Sequence, residues 1–485
     1  MRCTAIAAAA AILAVSEAIN LVQRDVPSVV SLDIQRRHVE DPLARERIRR
    51  KRDTVQETLD NLETLYFANA SLGTPAQTLR LHIDTGSSDL WANAQSSALC
   101  SGNSDQCADS GTYDANSSST YTFVNSDFNI SYVDGSGASG DYATDTFHFG
   151  GQAIKDLQFG IGYVSSSPEG ILGIGYAVNE VEVQRAGGQP YSNLPQKLAD
   201  DKTTNSVAYS LWLNDLDAST GSILFGGVDT EKYTGNLQTL PIIQEGGQYV
   251  EFIIALTAMG VNGKQGSLFD NENVPVLLDS GSSLMYLPDS LVENLYKQFN
   301  AQYDSSQGAA FVDCSLASDS TTLDFKFSSP TISVPMNELV VVAGYQRGQP
   351  VCILGIAPAG DSTCVLGDTF LRSAYVVYDL SNNEISLAQT NFNATKSNIM
   401  EIKAGAAGVP DASGVVNAVS TVSGSPSGGA RNGQPTVIVT GVVTATGAAG
   451  TAGAATKTST ALAAAVTGSW AGAVVGAGAV VMGML

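Results

Sequence analysis

Leu81-His82-Ile83-Asp84-Thr85-Gly86-Ser87-Ser88-Asp89-Leu90-Trp91 and Val276-Leu277-Leu278-Asp279-Ser280-Gly281-Ser282-Ser283-Leu284 decide the reading of this chain. Both run apolar, apolar, Asp, Thr or Ser, Gly, Ser, Ser, and their acids stand 195 residues apart. Each is followed at long range by an apolar and glycine block, Gly170-Ile171-Leu172-Gly173-Ile174-Gly175 in the first half and Val365-Leu366-Gly367-Asp368 in the second. One Asp-Thr-Gly alone is ordinary turn chemistry. Two copies in matched apolar frames describe an internal duplication, two lobes with one acid each. An Asp at the end of an apolar strand is unfavourable unless something satisfies or uses it.

Around the two copies, from Tyr66 to about Asn393, short alternating runs are broken by Gly, Asn-Gly and Asp-Gly. The stretches 65–73, 78–86 and 210–217 are examples. Such spacing predicts an all-β sandwich or barrel architecture. Helical patterns are few, and 288–298 is the candidate.

The chain has 485 residues, so two or three units are expected. Apolar residues make up 44%, enough for a sizeable core, and the net charge of −22 argues against nucleic acid as a partner. The basic residues cluster: residues 19–52 carry nine Arg or Lys against five acids. Ahead of them, Arg2, the apolar run Ala5–Val15 and Ser16-Glu17-Ala18 make residues 1–18 a secretory signal pattern. Residues 19–52 then read as a propeptide ending in Arg49-Arg50-Lys51-Arg52, with cleavage expected after Arg52. Being basic, it is expected to lie along the cleft of the acidic body.

Beyond the strand-rich region, residues 396–460 are Gly, Ala, Ser, Thr and Val with almost no aromatics, the composition of a disordered stalk. Residues 461–485 form an apolar tail with no basic residue after it. A polar spacer and small residues upstream give the layout of a GPI-attachment signal. The rival is a transmembrane helix, against which the missing cytoplasmic Lys or Arg counts. Asn69, Asn116, Asn129 and Asn393 head Asn-x-Ser/Thr sequons, candidate glycan sites in a secreted chain.

Of six cysteines, Cys3 leaves with the signal. Cys100 and Cys107 lie close enough to close a small ring. Cys314, Cys352 and Cys364 compete for one more bridge, and spacing alone does not choose among them. No pair has zinc-site spacing. Only three histidines occur, His38, His82 and His148, and no nucleophile elbow, HExxH, P-loop or dinucleotide fingerprint is present. His82 reads as a packed strand position.

The paired motifs resemble those of the pepsin family of aspartic peptidases, over about Tyr66 to Asn393. With the basic processing site and the tail, the chain is similar to the fungal yapsin-type branch. The resemblance implies a bilobal all-β fold with a cleft between lobes at 53–235 and 236–395. It implies that Asp84 and Asp279 are catalytic, activating a water for attack on a peptide bond at acidic pH, with no metal and no cofactor. Thr85 and Ser280, with Gly86 and Gly281, match the residues that hold the acids. Tyr132 and Gly135 match the flap, with Trp91 bonding its Tyr, although Val133 stands where the common pattern has Gly. Asp134 matches a flap position linked to a preference for Lys or Arg before the scissile bond. A Cys314–Cys352 bridge, leaving Cys364 free, is also implied. The expected setting is the cell surface or wall, by a GPI anchor that is retained or shed. The expected partners are peptide substrates and a processing protease, and the enzyme is expected to be monomeric. A surface glycoprotein that keeps the fold for adhesion or wall structure, without catalysis, is the alternative.

Overall fold

The computed structural model describes residues 28–36, 65–102, 106–132, 135–218, 220–406 and 408–422, all within one compact unit. Its first half is built from β1 (Val30–Arg36), β2 (Tyr66–Leu72), β3 (Gln77–Asp84), β4 (Leu90–Asn93), β5 (Thr122–Ser131), β6 (Gly137–Phe149), β7 (Gln152–Ser165) and β8 (Gly170–Gly173). Alternation explains them: in β3, Leu79, Leu81 and Ile83 all point into the core. His82 faces the other way and is also buried, because that face meets the second lobe.

These strands belong to a fourteen-stranded sheet that continues through Thr220–Phe225, Ala208–Trp212, Ala374–Asp379, Glu384–Thr390 and Tyr233–Pro241. Strands from both halves of the sequence therefore share one sheet, which ties the lobes together. Aromatic rings fill the junction: Tyr209 stacks on Tyr378 at 5.0 Å, and Phe252 meets Tyr378 edge-on at 4.7 Å. The second half adds a seven-stranded sheet around Ile253–Val261 and Lys264–Leu278, and a four-stranded one. The expected helix forms over Asp289–Gln298, turning Leu291, Val292 and Leu295 inward as one face.

Two segments depart from the sequence expectation. The described part of 19–52 does not lie along the cleft. Strand β1 is inserted in the sheet, pairing Val30–Gln35 with Phe225–Thr220 on one side and Ile34–Arg36 with Ala68–Tyr66 on the other. Its alternation decided this: Val30 and Ile34 are buried, and two neighbouring strands supply ladder partners. Arg52 and the rest of the basic cluster lie outside the described residues.

The disordered stalk expected from residue 396 is the second correction. Ile399–Glu401 pairs with Gly227–Asp229, and Ala412–Gly414 pairs in parallel with Leu237–Thr239 at the sheet edge. Ile402 and Val409 are buried between. An open edge strand and a few well-spaced apolar residues suffice to dock a segment of low complexity. Residues 423–485, which include the tail, lie outside the described residues.

Disulfides join Cys100 to Cys107 and Cys314 to Cys352, and Cys364 is a free, buried thiol. Burial pushes the Cys364 thiol up to about 12, so it stays protonated.

Candidate active site

Asp84 ends β3 and Asp279 follows the strand Lys264–Leu278, so both acids sit where an apolar strand runs into the Gly-Ser-Ser turn. Behind each lies its glycine block. Strand β8 runs parallel to β3 with Asp84 opposite Gly173, and Cys364–Leu366 runs parallel to Val276–Leu278. Asp84 is 5% exposed and Asp279 8%, so both carboxyls are largely removed from water.

The two turns are near copies. Gly86 N–H donates to Asp84 Oδ1 at 2.8 Å, and Gly281 N–H donates to Asp279 Oδ1 at 2.7 Å. The Ser87 hydroxyl donates to Asp84 Oδ2, and that of Ser282 to Asp279 Oδ2 at 2.7 Å. A methyl group on Gly86 would fall 2.6 Å from Asp279 Oδ1, and one on Gly281 2.3 Å from Asp84 Oδ1. Only glycine lets the turns approach this closely.

Thr85 and Ser280 lock the turns to each other. Thr85 Oγ1 donates to the Leu278 carbonyl at 2.9 Å and accepts from Ser280 N–H at 2.9 Å. Ser280 Oγ donates to the Ile83 carbonyl at 3.0 Å and accepts from Thr85 N–H at 3.2 Å. Each hydroxyl thus serves one donor and one acceptor on the opposite lobe. His82 Nε2 adds a contact to the Ser280 carbonyl at 3.3 Å.

Electrostatics raises Asp84. Burial, and next the charge of the neighbouring Asp279 carboxyl, push Asp84 up to about 7, against the pull of Ser87 and Gly86. Like charges this close do not both ionise cheaply, so the pair shares one proton; aspartic-protease dyads are the standard illustration of this effect.

The hairpin of β5 and β6 carries Tyr132, whose hydroxyl accepts from Trp91 Nε1 at 2.8 Å. Its turn closes through Tyr132 N–H to Ser136 O and Gly135 N–H to Tyr132 O, with Gly135 at φ 83°. Val133 and Asp134 lie outside the described residues. Of the sequon residues, Asn69, Asn116 and Asn393 are exposed and Asn129, on β5, is half-buried.

Sequence reasoning assigned no role to Ser87 and Ser282, although their place in both motifs was a usable signal. It also missed Asp89, a fully buried acid that accepts from the Tyr142 hydroxyl at 2.6 Å, the Tyr191 hydroxyl at 3.1 Å and Val181 N–H at 3.0 Å. Nothing local announced Arg185 beside the hairpin.

Two β lobes that present one Asp-Thr/Ser-Gly turn each, locked face to face, define the bilobal aspartic peptidases. The chain belongs to the eukaryotic aspartyl protease family, whose model matches residues 65–390, and it is an aspartic-type endopeptidase. It is 57% identical over 425 residues to "Probable aspartic-type endopeptidase opsB" of Aspergillus fumigatus, covering 86% of this chain and 87% of that one. It is 36% identical over 359 residues to "Aspartic proteinase yapsin-3" of Saccharomyces cerevisiae, covering 71% and 70%. The crystal structure of an aspartic proteinase from Irpex lacteus shares the fold, with a TM-score of 0.56 at 23% identity over 69% of this chain and 96% of that one.

Proposed function

We propose that Asp84 and Asp279 are the catalytic pair of this endopeptidase. The carrying observation is the reciprocal lock of Thr85 and Ser280, which holds two buried carboxyls together so that Asp84 keeps a proton. One carboxylate of the pair takes a proton from a water, which attacks the peptide carbonyl. The protonated acid gives its proton to the developing oxyanion. Asp84→Asn and Asp279→Asn should each abolish turnover in secreted, folded protein, and near-normal turnover in either overturns the assignment. Pepstatin inhibition separates this reading from a non-catalytic surface glycoprotein.

We further propose a preference for Lys or Arg before the scissile bond, through Asp134 on the flap. A carboxylate meeting a cation where water is partly excluded makes a charged hydrogen bond worth about 1.5–3 kcal/mol, roughly ten- to hundredfold in selectivity. Asp134→Ser, assayed on matched peptides with Lys or Leu at that position, should lose rate on the Lys peptide alone.

The proposed life history is secretion by residues 1–18, maturation after Arg52 by a processing protease, and attachment at the cell surface as a monomer by a GPI anchor that replaces the tail. Glycans are proposed at the four sequons, of which Asn69, Asn116 and Asn393 are exposed. N-terminal sequencing should start near Asp53, and a phospholipase specific for such anchors should release the enzyme from membranes. An active enzyme starting at residue 19, or retention with the tail intact, refutes the respective step.

A further inference from the structure

Strand β5 is the outer arm of the flap hairpin and the edge of the fourteen-stranded sheet, paired among the described residues with β6 alone. An edge arm has backbone groups on its free side that a neighbouring strand does not satisfy. Packed against this arm is the four-residue helix Val181–Gln184. Asp89, five residues after Asp84, holds its first N–H. Glu182, inside the helix, accepts from Asn125 Nδ2 of β5 at 2.9 Å and from Gln158 Nε2 of β7 at 2.7 Å. Arg185 follows the helix directly. Its Nη1 donates to the Asn129 carbonyl at 2.8 Å, and its Nη2 donates to the hydroxyl of Ser131, which is itself buried.

From this geometry we infer that Arg185 is a positioning residue for the flap. Asn129 and Ser131 stand three residues and one residue before Tyr132. A guanidinium presents donors in a rigid planar fork, so one side chain fixes two points of the arm at once, which an ammonium does not. The arm is thereby tied through a short helix to Asp89 on the loop that carries Asp84. Tyr132 is held from two directions: its hydroxyl by Trp91, and its backbone by Arg185 through Ser131. The position of the arm before Tyr132 is thereby coupled to the turn that follows Asp84. This inference rests on the reading of Tyr132 as the flap residue.

The test compares Arg185→Gln, Arg185→Lys, Ser131→Ala and the Arg185→Gln/Ser131→Ala double variant in the mature enzyme. Losing two charge-assisted bonds should lower kcat/KM about ten- to hundredfold, mostly through KM. Amide exchange should quicken over 128–136 and stay unchanged in the strands behind the carboxyls. The alkaline limb of the pH profile, set by the carboxyl pair, should not move. Lys should restore part of the loss by reaching one acceptor. Ser131→Ala alone should give a smaller loss, and the double variant should be no worse than Arg185→Gln, because the two groups act through one contact. Should Arg185→Gln fail to fold, Ser131→Ala with amide exchange carries the test. A kcat/KM within twofold of the parent, or unchanged exchange over 128–136, overturns the inference. Tyr132→Ala separates the two readings. If it is harmless, the flap assignment fails. If it is damaging while Arg185→Gln is not, only the positioning role fails.

Discussion

Thr85→Val is the sharpest probe of the lock between the lobes. Valine matches threonine in shape but carries no hydroxyl, and Thr85 is fully buried. The change leaves the Leu278 carbonyl and Ser280 N–H, bonded at 2.9 Å each, without their partner at the lobe junction. A buried group stripped of its partner loses about 1–3 kcal/mol, so the two together should destabilise the enzyme by about 2–6 kcal/mol. Thr85→Ser keeps the hydroxyl and removes one methyl, a loss of about 0.8 kcal/mol. Denaturant unfolding of both variants, alongside kcat/KM on one peptide, reads the difference. The Val variant should unfold at markedly lower denaturant and lose at least tenfold in kcat/KM, because the turns carrying the acids are no longer registered. The Ser variant should stay near the parent. Equal losses in both would mean that packing holds the turns, and a Val variant within about 1 kcal/mol with full activity would refute the lock.

Because the Asp84 carboxyl is raised to about 7 in the fold, the native state binds more protons than the unfolded chain between its ordinary value near 3.8 and about 7. Stability from this group should therefore fall as pH rises through that window, and kcat/KM should fall on an alkaline limb near 7; an optimum well above 7 would contradict the shared proton. Cys314→Ser should lower stability by about 4 kcal/mol from the 38-residue separation it closes, against about 2 kcal/mol for Cys100→Ser across seven, both read by thermal melts. Truncation after Asn393 removes two strand pairings and bares the site of Ile402, so it should lower Tm or solubility, whereas truncation after Val422 should not. Equal melts for the two truncations would show the docked segment to be dispensable. Glu338→Gln leaves Arg372, buried and bonded through Nε to the Glu338 carboxylate at 2.5 Å, without its counter-charge, and should destabilise by about 3–5 kcal/mol.

Much of the site was legible because the duplication wrote it twice. Two copies of one motif assigned Asp84 and Asp279 to paired roles, and the same frames predicted strands feeding Gly-Ser-Ser turns. The strand periodicity of 78–86 and the helix over Asp289–Gln298 followed from local patterns of burial. Those signals are local, so sequence alone determined them: which two turns are copies of one another, and that the fold is β and two-lobed. Three things depended on neighbours far along the chain. In sequence, residues 30–36 read only as part of a basic propeptide, and the gap between Thr220–Phe225 and β2 is what placed them inside the sheet as a strand. Residues 396–422 looked featureless until the open edge at Leu237–Thr239 gave their backbone a partner. Arg185 and the Arg372–Glu338 pair have no periodicity and no motif, because a side chain's hydrogen-bond partner is chosen by what the folded backbone brings within about 3 Å of it. Composition and period are properties of a segment, whereas the satisfaction of a buried charge belongs to the whole fold.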